Sequence, residues 1–270
     1  MKRTRLLAAA AALVVGAPLV TASAVHAATI TMSGSTSIAP LATKLAKAFV
    51  NTPQGKGNKV VILQGGSDIG ITDVSRGRVT LGMSSRDPKP ADPGGIVFNK
   101  IARDAVCVVA NASNRIPTLS QQQIQDIFSG RVRSWSQVPG ASASGPIDLV
   151  VRTAASGTQD AFQNIFMGQT LRVAGSATTK SSNGLQAQTI KSDPNAIGYA
   201  SFAFTGGLHS VPYQGVPCTL RNAKSGQYAG GRNFYLVSRG AAKGVAKSFI
   251  TFARSQAAQA IVASNWVPLR

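Results

Sequence analysis

The chain reads as an α/β protein. Apolar runs of strand length alternate with segments of helical periodicity, and three strand-to-helix junctions carry glycine beside a hydroxyl side chain. The junctions are Gly34-Ser35-Thr36-Ser37, Gly65-Gly66-Ser67 and Ala155-Ser156-Gly157-Thr158. A helix N-terminus leaves its first backbone N–H groups unpaired and carries roughly half a positive charge, so each junction is a candidate oxyanion site. A single Ser or Thr before a helix is ordinary capping chemistry. The anion reading rests on there being three, which together could hold one tetrahedral ion.

Thr29 to Met32 is a short strand feeding the first junction. Ile38, Leu41, Leu45, Ala48 and Phe49 follow at helical spacing, with Lys44 and Lys47 off that stripe and Pro40 in the first turn, where proline is tolerated. Val60 to Gln64 is a second strand, leading through the next junction into a weaker helix, Asp68 to Val74, whose Gly70 and β-branched residues lower its propensity. Thr80 to Met83 is a third strand, ending in Ser84-Ser85-Arg86-Asp87. Residues 88 to 95 are rich in Pro, Gly and Asp and form a loop. Ala105 to Ala110 reads as a buried strand, and Ser120 caps a helix ending at Phe128. After a second loop, 140 to 146, the strand Asp148 to Val151 runs into the third junction and a helix from Gln159 to Phe166. Ala196 to Phe204 is a strand turning into a loop, Phe234 to Val237 another strand, and Ala246 to Val262 a final amphipathic helix. All three junctions sit at carboxyl ends of strands, where open α/β sheets bind small molecules.

Lys2, Arg3 and Arg5 precede an apolar run from Leu6 to Val20, and Val25-His26-Ala27 offers small residues for cleavage, so residues 1–27 read as an export signal. With no cysteine near residue 27 to take a lipid, a freely soluble mature chain in the periplasm or outside the cell is expected. All nine acidic residues are Asp, against 28 Lys and Arg, for a net charge of +19, or +16 without the leader. Such a surface attracts anions and implies weak association with an anionic cell surface. Its basic residues are scattered and only 6% of residues are aromatic, which argues against a nucleic-acid partner.

Cys107 and Cys218 are an even pair, readable in an oxidising compartment as a disulfide or as two buried thiols. No metal or other cofactor is expected, because His209 is the one histidine beyond the leader and no Cys-x-x-Cys occurs. Catalysis is not expected either. Gly-x-Ser-x-Gly is missing, and Ser67 beside Asp68 has no base of suitable pKa.

Gly-Ser-Thr-Ser-Ile-Ala-Pro-Leu-Ala (34–42), Gly-Gly-Ser (65–67), Gly-Met-Ser-Ser-Arg (82–86), Ile-Phe-Ser-Gly (127–130), Ser-Gly-Thr (156–158), Ala-Ile-Gly-Tyr (196–199) and Val-Pro-Leu (267–269) occur in one order along the chain. In this order the chain resembles the phosphate-binding proteins of ABC-type phosphate importers. The resemblance implies a two-lobed periplasmic-binding-protein fold with a hinge. Lobe one would hold residues 28–109 and 203–270, and lobe two 110–202. It implies inorganic phosphate in the cleft, held by Ser35, Thr36, Ser37 and Ser67 from lobe one and by Arg152, Ser156, Gly157 and Thr158 from lobe two. Ser85 and Arg86 match a Ser-Arg variant of the family's lobe-one strand end. A monomer that delivers its ligand to permease subunits at the membrane is expected. In some relatives a carboxylate accepts the phosphate proton; here Ser85 stands at that place, and Asp68 and Asp87 are the nearby candidates. Thr153 follows Arg152 where the family has Glu. The alternatives are a binding protein for another oxyanion, molybdate or sulfate, and a secreted phosphohydrolase.

Overall fold

A computed structural model describes residues 27–269, so the export-signal reading falls, but for Ala27, outside the described residues. In chain order the elements are β1 (Thr29–Gly34), α1 (Ala39–Phe49), β2 (Lys59–Gln64), α2 (Ser67–Ser75), β3 (Leu81–Ser84) and the long β4 (Ile96–Ala110). Then come α3 (Gln121–Phe128), β5 (Asp148–Arg152), α4 (Gly157–Phe162) extended by a π-helical turn at Gln163–Met167, β6 (Thr178–Lys180), α5 (Asn183–Ser192) and β7 (Ala196–Ser201). The chain closes with β8 (His209–Ser210), α6 (Leu220–Ser225), β9 (Gly231–Arg239), α7 (Gly244–Arg254) and α8 (Gln256–Ala263).

The strands lie in the order β2-β1-β3-β9-β4-β7-β5-β6, with β8 on β4. β1 is parallel to β2 and β3, and β5 is parallel to β6 and β7, as right-handed strand–helix–strand crossovers require. β4 joins the two groups. Its residues 96–105 pair antiparallel with β9, and 106–110 pair with β7.

Two cores form on either side of that switch. The first packs Leu41, Leu45 and Phe49 of α1 against Ile30, Met32, Leu81, Phe234 and Phe249. Lys44 and Lys47 stay on the exposed face of α1, and the Phe49 and Phe249 rings meet edge-on with centroids 5.2 Å apart. The second packs β4, β5 and β7 against Phe128, Trp135, Phe162 and Phe166, with the Phe162 and Tyr199 rings stacked at 4.0 Å.

Three expectations change. β4 starts nine residues before the strand read from sequence, because its early half is only partly buried and carries Asn99, Lys100, Arg103 and Asp104 among its apolar residues. The final helix is two helices, since Ser255 turns extended and its side chain caps α8 by accepting from Ala258 N–H. The strand at Ala196 stops at Ser201, and Phe202–Phe204 form a 3-10 turn.

The division into lobes also moves. Val211, Tyr213, Cys218 and Tyr228 pack in the second core, and Cys218 is disulfide-bonded to Cys107 of β4. The chain therefore enters the second lobe between Ala105 and Val106 and returns at Gly230–Gly231, rather than crossing at 109 and 203.

The disulfide closes a sequence separation of 111 residues within the second lobe and its entry strand. Replacing both cysteines (Cys107→Ala with Cys218→Ala) is expected to lower unfolding free energy by about 2 to 5 kcal/mol. Urea titration followed by circular dichroism measures it, and a loss under about 1 kcal/mol would show that the bridge constrains the unfolded chain little.

Candidate functional site

Each half of the molecule brings strand ends and helix N-termini to the same place. In the first lobe β1 ends at Gly34, whose carbonyl accepts the N–H groups of Gly65 (2.9 Å) and Gly66 (3.0 Å), so the α1 and α2 junctions are tied together. Ser35 N–H donates to Met83 O (2.9 Å), which adds the end of β3 and Ser85 to the group. In the second lobe β5 ends at Arg152, and Ser156 caps α4 by accepting from Thr158 and Gln159 N–H. α5 starts beside it at Asn183, capped by Ser182.

The two sets meet face to face. Gly157 lies so close to the first lobe that an added Cβ would stand 2.7 Å from Ser85 Oγ. Gly66, at φ +115°, lies against the carbonyl of Ala155, which in turn accepts Asp68 N–H at 3.1 Å. Only glycine meets both the positive φ and the close approach.

Hydroxyl groups fill the seam. Ser37 Oγ and Thr158 Oγ1 are 2.9 Å apart across it, and Asn183 Nδ2 donates to Thr36 Oγ1 (2.8 Å) and Ser37 Oγ (2.9 Å). Ser35 Oγ donates to Ser85 Oγ (2.8 Å), and Ser85 N–H donates to Ser67 Oγ (3.0 Å). All of these residues, with Ser156, are buried.

Two arginines are buried with them. Arg152 is 3% exposed; its Nε donates to Lys180 O (3.1 Å) and its Nη2 to Ser181 O (2.8 Å), while Nη1 is buried without a partner. Arg232, on β9, donates through Nη2 to Ser37 Oγ (2.9 Å) and through Nη1 to Thr158 Oγ1 (3.0 Å). It is anchored by Asp104, which lies opposite on β4 and accepts from its Nε (3.0 Å) and Nη2 (2.7 Å) on one oxygen, Oδ2. Ser201 Oγ donates to that oxygen as well, while Asp104 Oδ1 is buried and unpartnered.

Burial is costly for each of these charges. It raises the carboxyl of Asp104 and lowers the guanidinium of Arg232, each against the pull of its partner. Burial is also the largest cause pushing Arg152 down to about 10; the Tyr199 hydroxyl opposes it, and the charge of Arg232 adds to it. Two buried cations thus share one buried carboxylate, and an anion is what the arrangement lacks.

The sequence-predicted residues divide. Ser35, Thr36, Ser37, Ser67, Ser85, Arg152, Ser156, Gly157 and Thr158 lie at the seam. Arg86 does not serve it: Nε is held by Asp68 (2.7 Å), and Nη1 and Nη2 by both oxygens of Asp92. Asp68 is thereby spent as a proton acceptor. Asp87 is exposed and accepts from Asn233 Nδ2 (2.9 Å) and Tyr235 Oη (2.6 Å), away from the hydroxyls.

Asn183, Arg232 and Asp104 join the site without having been read from the sequence. Ser181-Ser182-Asn183-Gly184 is a fourth hydroxyl-and-glycine junction and could have been found. Arg232 and Asp104 sit in polar strand ends with no local signal.

Residues 19–257 match the family described as the PBP superfamily domain. The chain belongs to the PBP superfamily. Among solved structures it is similar to a Clostridium perfringens protein described as a phosphate ABC transporter substrate-binding protein with bound phosphate. The two are 30% identical over 90% of this chain and 100% of that one, with a TM-score of 0.84. An ABC-type phosphate transport receptor from Vibrio cholerae is 26% identical, covers 88% of this chain and 99% of its own, and superposes with a TM-score of 0.71. The phosphate-binding protein PstS of Bacillus subtilis is 25% identical over 241 residues, 87% of this chain and 78% of that protein. The two-lobed α/β architecture of the PBP superfamily is the one seen here.

In this superfamily member Gly157 is where the lobes touch most closely, so Gly157→Ala is expected to fold yet stay open. Small-angle scattering should show a larger radius of gyration than the parent in saturating phosphate. Equal radii would mean that the seam can absorb a methyl group.

Proposed function

We propose that the seam is the binding site for inorganic phosphate, and that the chain captures phosphate outside the cytoplasm and hands it to the permease of an ABC importer. The observation that carries this is the buried, unpartnered Nη1 of Arg152 in a pocket of hydroxyl and helix-end N–H donors, where positive charge exceeds negative. A buried guanidinium donor left unmade is costly, and a tetrahedral oxyanion satisfies it with a charge-assisted bond. Relatives whose names specify phosphate support that choice of anion.

The lobes are joined by the two strands β4 and β9, so capture works by hinge closure. Phosphate favours the closed form only by binding it more tightly than the open one, which requires contacts from both lobes. Thr36, Ser37, Ser67 and Ser85 supply one side, and Arg152, Ser156, Gly157, Thr158 and Asn183 the other. The closed form, as a monomer, is what a permease would recognise. No bond of the ligand is made or broken, so the role is carriage.

Isothermal titration calorimetry of the phosphate-stripped mature chain is expected to show one phosphate per chain. Arg152→Ala, which removes a charged donor, should weaken binding by about 1.5 to 3 kcal/mol. Thr158→Ala should weaken it by about 1 kcal/mol and reduce closure, and Ser67→Ala should weaken it comparably. Binding of sulfate or molybdate in place of phosphate would reassign the ligand. Unchanged affinity in all three variants would move the site elsewhere.

A further inference from the structure

A hydroxyl can both give and accept, with one proton and two lone pairs, so its direction depends on what surrounds it. Around Thr36, Ser37 and Thr158 the direction is determined. Asn183 Oδ1 accepts Ser201 N–H (3.4 Å), which turns its Nδ2 toward the hydroxyls. Thr36 Oγ1 then accepts from Asn183 Nδ2 (2.8 Å) and, more weakly, from Asn183 N–H (3.4 Å), and both lone pairs are used. Ser37 Oγ accepts from Asn183 Nδ2 (2.9 Å) and Arg232 Nη2 (2.9 Å), so in its contact with Thr158 it must be the donor. Thr158 Oγ1 accepts from Ser37 and from Arg232 Nη1 (3.0 Å), which leaves its own proton no use inside the protein.

We propose that Asn183 and Arg232 are positioning residues that lock Thr36, Ser37 and Thr158 as donors toward the anion, so that the cleft takes the dianion of phosphate and rejects the monoanion. The inference rests on the phosphate reading above and sets which protonation state is carried. The dianion offers three proton-free oxygens to these donors. The monoanion offers two, and its second P–OH would meet a hydroxyl proton head-on, leaving both unpaired. Asp104 keeps the Arg232 fork aimed by holding Nε and Nη2 on a single oxygen.

The charged and titratable groups packed around the cluster are Asp104 on β4, Arg152 on β5, Tyr199 on β7, Arg232 on β9, and Arg86 with Asp68 beside β3. Lys89 and Asp160 pair across the cleft nearby. Asp104 is the one carboxylate hydrogen-bonded to the cluster's arginine. If it titrated on binding an anion it would take a proton up, the opposite sign to selection of the dianion.

The test is the proton count on binding, read by calorimetry with phosphate in buffers of different ionisation enthalpy, slightly below neutral pH where free phosphate is mostly monoanion. The parent chain is expected to release protons in proportion to the monoanion fraction. Arg232→Lys keeps the charge but loses the fork, and Asn183→Ala is charge-neutral. Each should bind phosphate about tenfold more weakly and release fewer protons per phosphate, because the freed hydroxyls can turn and accept. A merely structural role would weaken binding without changing the count. If Arg232→Lys does not fold by circular dichroism, Asn183→Ala decides alone. Proton uptake or no exchange in the parent, or an unchanged count in the folded variants, overturns the proposal. No heat with phosphate at any pH would instead remove the phosphate reading, and the proposal with it.

Discussion

Asp104 and Arg232 are register partners on β4 and β9, the two strands by which the chain passes between its halves, and their ion pair organises the cleft. Taking two charges out of water costs several kcal/mol per ion, and a buried pair is often no more stabilising than apolar residues of the same volume. Its value here lies in placement. With Nε and one edge of Nη2 held by the carboxylate, the rest of the guanidinium can point only at Ser37 and Thr158, one from each lobe. The pair belongs to the hinge, so the fork stays in place while the lobes move around it.

The closed arrangement is held by a small number of polar contacts of high directionality. Thr36 meets Asn183, Ser37 meets Thr158, Asp68 N–H meets Ala155 O, and Lys89 pairs with Asp160. Individually such bonds contribute about 0.5 to 1.5 kcal/mol. That scale suits a carrier, since a closed state too stable without ligand would not reopen, and an anion that adds contacts to both lobes can shift the balance by its own differential affinity. Gly66 and Gly157 make the approach feasible by presenting no side chain at the two tightest points.

Charge works on two length scales. The excess of Lys and Arg over Asp acts at a distance, drawing anions toward the molecule without choosing among them, and salt screens it over about 8 to 10 Å. Inside the cleft the counting is local: two guanidinium groups, one carboxylate and a ring of hydroxyls, shielded from water. There the orientation of each donor decides what fits. Arg86 illustrates the difference. Equally buried and equally positive, it is neutralised by Asp68 and Asp92 and takes no part.

The sequence by itself determined the α/β class, the strand ends and the three glycine-hydroxyl junctions, because strand alternation, helical spacing and capping act between residues a few positions apart. Ser120 capping α3, and Ser35, Ser67 and Ser156 at helix entrances, are legible for that reason. Only the tertiary structure decided that Arg232 rather than Arg86 reaches the hydroxyls, that Asn183 closes the ring, and that residues 203 to 230 stay with the second lobe. Those outcomes depend on partners more than 100 residues apart, Asp104 with Arg232 and Cys107 with Cys218, brought together by strand register and core packing. A side chain's neighbours at that separation leave no periodicity to read. The charge of an arginine is written in the sequence, but whether a carboxylate has already claimed it is decided by the fold.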